Sequence, residues 1–167
     1  MIQELDKVFR SLQESATVDH LTGAYNRRAG VQRLASDLAR VGRGEGSLTL
    51  AVVDLDRLKP LNDRYGHQVG DTCLRQLAGT CIGNVREGDW LARWGGDEFV
   101  LALWGEGGER PASVVLNRLV TDLSEHPVQL SRGDRIQLTF SAGVLWCTGC
   151  EAELGVSGVL ALADEAL

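Results

Sequence analysis

Four carboxylates sit at two places where an apolar strand pattern stops. Leu48-Thr49-Leu50-Ala51-Val52-Val53 runs into Asp54-Leu55-Asp56, and Trp90-Leu91-Ala92-Arg93-Trp94 runs through Gly95-Gly96 into Asp97-Glu98. The apolar run then resumes from Phe99 to Leu103. Gly-Gly between strands reads as a tight hairpin whose two turn positions can take positive φ at little steric cost. Clustered carboxylates raise one another's pKa and cost stability unless a cation is close. Hard oxygen donors beside open solvent suit Mg²⁺ or Mn²⁺, with ligand phosphates completing the octahedron. The competing reading is a set of solvated surface acids. Placement directly after a buried strand and directly after a Gly-Gly turn favours the cation.

The acids need elements to bring them together. Leu48–Val53 is short, continuous and β-branched, as a strand buried on both faces should be. Val31, Leu34, Ala35, Leu38 and Val41 mark one face of a helix over 27–41, with Asn26 as its cap. Pro60 and Gly66 predict an irregular or briefly helical stretch after the first strand. A helix follows from about Gln68 or Asp71 to Ile82, with Val69, Cys73, Leu74, Leu77, Ala78 and Cys81 inward. Pro111 suits the first turn of a helix carrying Val114, Val115, Leu119 and Leu123. Residues 136–145 alternate into a strand, 147–156 read as loop, and a last helix starts near Ser157. The order predicts an α+β fold with a β-α-β-β-α-β ferredoxin-like core. Its central sheet is mostly antiparallel and flanked by helices. In that topology the third strand runs beside the first, so Asp54, Asp56, Asp97 and Glu98 are expected to converge. Residues 1–18 repeat apolar positions at Ile2, Leu5, Phe9, Leu12 and Ala16 with 3–4 spacing. Two readings stand for them: a helix packed on its own domain, or the tail of a coiled coil from an upstream module. The predicted division is a helix over 1–18 and one domain over 19–167.

Composition narrows the classes. The 167 residues are 44% hydrophobic and 24% charged, as in ordinary globular domains. A net charge of −6 argues against non-specific nucleic-acid binding, which rests on neutralising phosphates. No apolar run approaches the ~20 residues of a membrane span, and no export signal is visible at the start. A cytoplasmic domain is expected, either by itself or as the cytoplasmic part of a larger, membrane-bound protein. Cys147-Thr148-Gly149-Cys150 is a lone C-x-x-C; without a second pair, buried or surface thiols are a better reading than zinc or redox chemistry.

Gly95-Gly96-Asp97-Glu98-Phe99 resembles the signature of the GGDEF domain, the diguanylate cyclase family. The likeness extends well beyond this pentapeptide. Asp19-His20-Leu21-Thr22-Gly23-Ala24-Tyr25-Asn26-Arg27 is similar to the family's lead-in motif. The stretch from Asp54 to Asp71 is similar to its D-x-D-x-F-K-x-x-N-D-x-x-G-H-x-x-G-D motif. Leu138-Thr139-Phe140-Ser141-Ala142-Gly143-Val144 and Ala163-Asp164-Glu165-Ala166-Leu167 fit its late strand and last helix. The resemblance covers about residues 19–167, in order and at the right spacing.

The resemblance implies condensation of two GTP into cyclic di-GMP with release of two pyrophosphates, across a two-fold homodimer. It assigns metal binding to Asp54, the Leu55 carbonyl and Asp97, with Glu98 assisting a second metal or deprotonation of the attacking hydroxyl. Asn62 and Asp71 are implied to read guanine, with His67 near the nucleoside and Lys59 near the phosphates. A carboxylate suits guanine because it accepts from N1–H and the 2-amino group together. Taken without the family, Asn62, His67 and Asp71 read as turn formers and a cap, and Lys59 as a solvated lysine. Arg86-x-x-Asp89, five residues before Gly95, resembles the family's product-inhibition site for cyclic di-GMP; the plain alternative is a loop salt bridge. An upstream sensory module is implied as partner. The rival function is a catalytically weak or inactive module that binds cyclic di-GMP or GTP as a receptor. Leu58 for phenylalanine, Pro60, and Trp94 for tyrosine are small departures from the pattern. The family's last helix usually continues past such an Ala-Leu pair with a lysine and an arginine on the triphosphate. The sequence ends at Leu167, so a shortened helix and a weaker phosphate grip are expected.

Overall fold

The computed structural model describes residues 17–105, 112–131 and 133–167. The helix expected over 1–18 lies outside the described residues except for Thr17 and Val18. Val18 already bridges Tyr25 as extended chain. The described elements in chain order are α1 (Arg27–Gly42), β1 (Ser47–Leu55), α2 (Leu58–Tyr65), α3 (His67–Asn84), β2 (Trp90–Arg93) and β3 (Glu98–Gly105). Then come α4 (Ala112–Glu125), β4 (Val128–Gln129), β5 (Arg135–Ile136), β6 (Phe140–Cys147), α5 (Gly149–Ala152) and α6 (Gly155–Glu165).

Four strands form one antiparallel sheet in the order β2-β3-β1-β6. This is the expected ferredoxin-like arrangement, and β1 is central as its unbroken apolar run requires. Successive residues of a strand face opposite ways. Ala51, Val53 and Leu55 of β1, with Phe99, Leu101 and Leu103 of β3, pack beneath α3 and α4. Leu48 and Leu50, with Val100, Ala102 and Trp104, pack beneath α1 and α6 with Leu34, Leu38 and Val159. Asp54 and Glu98 continue the second set. They lie at the strand ends where the α1–α6 layer opens.

Several boundaries differ from the sequence reading for local reasons. The inward face of α1 is Ala29, Gly30, Leu34, Leu38 and Val41; Val31 and Ala35 are exposed. The stretch after β1 is a helix of 8 residues, α2. Pro60 is tolerated because it sits in the first turn, where a helix has no internal acceptor for the missing N–H. The strand read over 136–145 is two elements. Ile136 pairs with Val128 in a separate two-stranded sheet, and β6 begins only at Phe140. Residues 147–156 contain the short α5. There Thr148 and Glu151 form a capping box, a T-x-x-E signal visible in the chain. Val114 of α4 is exposed, whereas Ala112, Val115, Leu119 and Leu123 are buried. Pro111 falls outside the described residues. Cys73, Cys81 and Cys147 are buried and Cys150 is exposed, all as free thiols. Burial pushes the Cys81 and Cys147 thiols up to about 12, so neither is a ready nucleophile.

Candidate functional site

The antiparallel register sets Asp54 directly opposite Glu98. Next to that pair, the Leu55 N–H donates to the Asp97 carbonyl at 3.1 Å. Positions more than forty apart in the chain thus share one sheet end. Partial burial pushes the Asp54 carboxyl above its ordinary range, and Asp97, Glu98, Asp56 and Asp164 push it further. Glu98 is raised too, first by burial and then by Asp164, with Arg27 pulling it back and Asp97 adding to the rise.

The Asp56 carboxylate accepts from the Ser141 hydroxyl at 2.8 Å, and its N–H donates to the Thr139 carbonyl. Ser141 stands opposite Asp54 in the β1–β6 register, and the Asp56 charge adds to the rise of the Asp54 carboxyl.

The turn itself is also built differently from the expectation. Neither Gly95 nor Gly96 has positive φ. The Trp94 and Gly95 N–H groups both donate to the Glu98 carbonyl, at 2.8 and 3.2 Å. A Cβ on Gly96 would meet nothing within 4 Å, and one on Gly95 would only touch Glu98 Cβ at 3.8 Å. The domain does not need these glycines for its own packing. Their effect is to leave the outer side of the turn bare, so that a ligand can approach the backbone closely.

Arg27 and Asp164, which the sequence reading placed in motifs without a site role, complete the wall beside the turn. A cleft of about 450 Å³ is lined by Arg27 of α1, Trp94, Glu98, Val52 and, from α6, Ser157 and Asp164. The Arg27 guanidinium lies 5.6 Å from the centre of the Trp94 ring. No local signal marks Arg27 or Asp164, because each acquires meaning only when α1 and α6 close on the same sheet face.

The residues assigned to guanine lie around the elbow between α2 and α3. Gly66 joins the two helices at φ 88, a left-handed conformation that favours glycine. Asn62 comes from α2, and His67 and Asp71 stand one turn apart on α3. His67 is exposed and Asp71 half-buried. The Asn62 Oδ1 atom is buried without a hydrogen-bond partner. It presses on Gly70, where any Cβ would overlap it. A buried acceptor left unpaired is costly. Lys59 is exposed in the first turn of α2.

Arg86 and Asp89 stand at the other end of β2. The Arg86 guanidinium donates to the Trp104 carbonyl at 2.7 Å. Asp89 accepts from the Arg86 N–H at 3.1 Å and from the Trp104 N–H at 2.9 Å. The two side chains do not pair as a salt bridge; both fasten the loop to β3. Arg86 remains exposed, and one bond uses only one of the five N–H groups of a guanidinium.

Among the described residues, no three His, Cys, Asp or Glu side chains converge as a ready metal cage. The donor set fits a hard cation nonetheless. One or two carboxylates, a main-chain oxygen and ligand phosphates are what Mg²⁺ takes.

The site thus stands on a ferredoxin-like sheet that carries an acidic glycine turn at one end. The profile described as "Diguanylate cyclase, GGDEF domain" matches residues 16–167, and the chain belongs to this family. It is 37% identical over 155 residues to the diguanylate cyclase DgcP of Pseudomonas aeruginosa, covering 93% of this chain and 22% of that protein. The chain spans 22% to 39% of the length of the first curated relatives it matches. Among solved structures, the diguanylate cyclase SiaD of P. aeruginosa, in complex with its activator SiaC, superposes with TM-score 0.81 at 32% identity. That match covers 98% of this chain and 61% of that one. The GGDEF domain of DgcB from Caulobacter crescentus, in complex with c-di-GMP, gives 0.82 at 27% identity, covering 91% and 88%. Among the described residues no helix is long and apolar enough to cross a membrane.

Proposed function

We propose that this chain condenses two molecules of GTP into cyclic di-GMP and two pyrophosphates, each domain presenting one GTP to a second copy across a two-fold axis. The observation that carries the proposal is the pairing of Asp54 with Glu98, beside Asp97, at one end of the sheet. Asp54, the Leu55 carbonyl and Asp97 would hold a Mg²⁺ or Mn²⁺ ion. When bound, such an ion supplies charge neutralisation at the triphosphate and lowers the pKa of a nearby hydroxyl.

The chain's own residues account for the rest. The bare Gly95-Gly96 backbone admits the triphosphate. Asn62 and Asp71 orient guanine, which offers the donors that the Asn62 oxygen lacks. Adenine has no matching donor pair and would leave a buried acceptor unpaired. His67, at the start of α3, would lie toward the nucleoside, and Lys59, in the first turn of α2, toward the phosphates. In each half-reaction a 3′-oxygen bonds to the α-phosphorus of the other GTP. The bond from that phosphorus to the β-phosphate oxygen breaks, and pyrophosphate departs. Glu98 takes the hydroxyl proton directly or through water, and its raised affinity for protons suits that task.

Arg86 and Asp89 would receive cyclic di-GMP as an inhibitory product, through the exposed guanidinium and the adjoining carboxylate. An upstream sensory module would set the distance between two copies. The domain would work in the cytoplasm, where GTP is available.

The test is incubation of the protein with GTP and Mg²⁺ at high protein concentration, followed by chromatography. Cyclic di-GMP and two equivalents of pyrophosphate are expected. Binding of GTP or cyclic di-GMP with no turnover would replace this reading with that of a receptor module.

A further inference from the structure

Arg93 is tied into the glycine turn more closely than a surface arginine needs to be. Its Nη2 donates to the Gly96 carbonyl at 2.8 Å and its Nε to the Gly95 carbonyl at 3.3 Å. Its Nη1 meets both Asp19 oxygens, at 3.3 and 3.5 Å. Asp19 is itself fixed, accepting from the Thr22 hydroxyl at 2.7 Å and the Thr22 N–H at 3.0 Å. The main chain repeats the link. Arg93 N–H donates to the Tyr25 carbonyl, and Tyr25 N–H donates to the Leu91 carbonyl. Tyr25 thereby bridges β2 at Ala92, and Asp19 of the same lead-in segment reaches Arg93.

The geometry has a consequence for the backbone. In a trans peptide the C=O and the following N–H point in opposite directions. There are no cis peptides here. With the Gly95 and Gly96 carbonyls turned onto the guanidinium, the Gly96 and Asp97 N–H groups must point away from it. Among the described residues neither N–H has a main-chain acceptor. Successive N–H groups facing one way make a concave anion site. Two glycines would not hold such an orientation alone, since glycine backbones have the most freedom to lose.

We propose that Arg93 is a positioning residue that aims the Gly96 and Asp97 N–H groups at a ligand phosphate, with Asp19 as its anchor. The lead-in segment thus sets how well the turn grips phosphate. Only the planar fork of arginine can span both carbonyls and the Asp19 carboxylate; a lysine supplies charge without the fork. The proposal rests on the nucleotide reading above for what the phosphate belongs to, but its first readout needs no turnover.

The experiment uses the whole chain with Arg93→Ala, Arg93→Lys, Asp19→Asn and the double variant Asp19→Asn/Arg93→Ala. The first probe is inorganic pyrophosphate with Mg²⁺, followed by amide NMR. In the unchanged protein the Gly96 and Asp97 amides should shift on titration. Arg93→Ala and Arg93→Lys should weaken that binding roughly tenfold or more, as loss of charge-assisted hydrogen bonds does. Asp19→Asn should weaken it less, and should add nothing in the Arg93→Ala background, because both act through one link. KM for GTP should rise in the same order while kcat changes less. A melting temperature that falls with pyrophosphate affinity unchanged reduces Arg93 to a structural brace and overturns the proposal. So does full rescue by lysine, or full additivity of the double variant. A protein that makes no cyclic di-GMP but shows the Arg93-dependent amide shifts defeats the cyclase reading and upholds this one.

Discussion

At one end of the β2–β3 pair, Glu98 lies opposite Asp54 beside Asp97, and burial together with neighbouring acids raises the Asp54 and Glu98 carboxyls. At the other end, roughly 13 Å away along the four residues of β2, Arg86 donates to the Trp104 carbonyl, and the Asp89 carboxylate accepts from the Arg86 and Trp104 N–H groups. The first end is electrostatically incomplete and sterically open. The second is closed on itself. Incompleteness marks a place that waits for a ligand, whereas satisfied groups hold the loop in shape. An inhibitor at Arg86 and Asp89 would therefore share groups already in use, whereas a cation and phosphates at the turn, as proposed above, would meet carboxylates that repel one another.

The largest effect that would sharpen this contrast is at the open end. Asp97→Ala should lower cyclic di-GMP formation by on the order of 10²–10³ or more, as loss of a charge-stabilising group does, with no loss of melting temperature. A variant that unfolded would place Asp97 among the structural residues and erase the difference between the two ends. Asp89→Ala tests the closed end. It orphans the Trp104 and Arg86 N–H groups and should cost about 1–3 kcal/mol in urea denaturation.

A third measurement separates the ends by pH. Asp54 and Glu98 have folded pKa values raised above their unfolded ones, so the stability they allow is fully present below the unfolded pKa. It declines as pH rises through the folded pKa. Mg²⁺ should therefore raise the melting temperature at pH 8 and lose that effect near pH 4, when the acids are protonated. Asp54→Asn should stabilise the metal-free protein by roughly 2–4 °C, the usual yield of relieving a charge conflict in a domain this size. Equal Mg²⁺ stabilisation of the Asp54→Asn variant would rule out Asp54 as a ligand. The smallest effect is expected from Arg86→Ala. It should cost no more than about 1 kcal/mol, as one hydrogen bond is lost. It should also lessen inhibition by added cyclic di-GMP in an initial-rate assay.

The sheet was legible in the chain because its strands are apolar runs bounded by acids and glycines. The lead-in, D-x-D and Gly-Gly-Asp-Glu stretches are local strings, so they too were legible. What escaped notice was assembled by long-range pairing. The bond that Ser141, 85 positions on, gives the Asp56 carboxylate is one example. Arg27 and Asp164 reach the cleft only because α1 and α6 cover the same face. Two-residue strands such as Val128–Gln129 have no periodicity to read. The glycine turn was recognised for what it carries but not for how it is held, since the bonds of Arg93 to Gly95, Gly96 and Asp19 are invisible to spacing.

The stack of Arg27 on Trp94 gives the protein an optical gauge of its own cleft. An indole's emission shifts with the electric field across its ring, and this indole lies between a guanidinium and the Glu98 wall. A polyanion entering there redistributes that field. Trp90 and Trp104 are buried away from the cleft, and Trp146 is exposed on β6, so they contribute a constant background. The substitution that departs from the family's usual tyrosine therefore makes occupancy of the site readable in unlabelled protein.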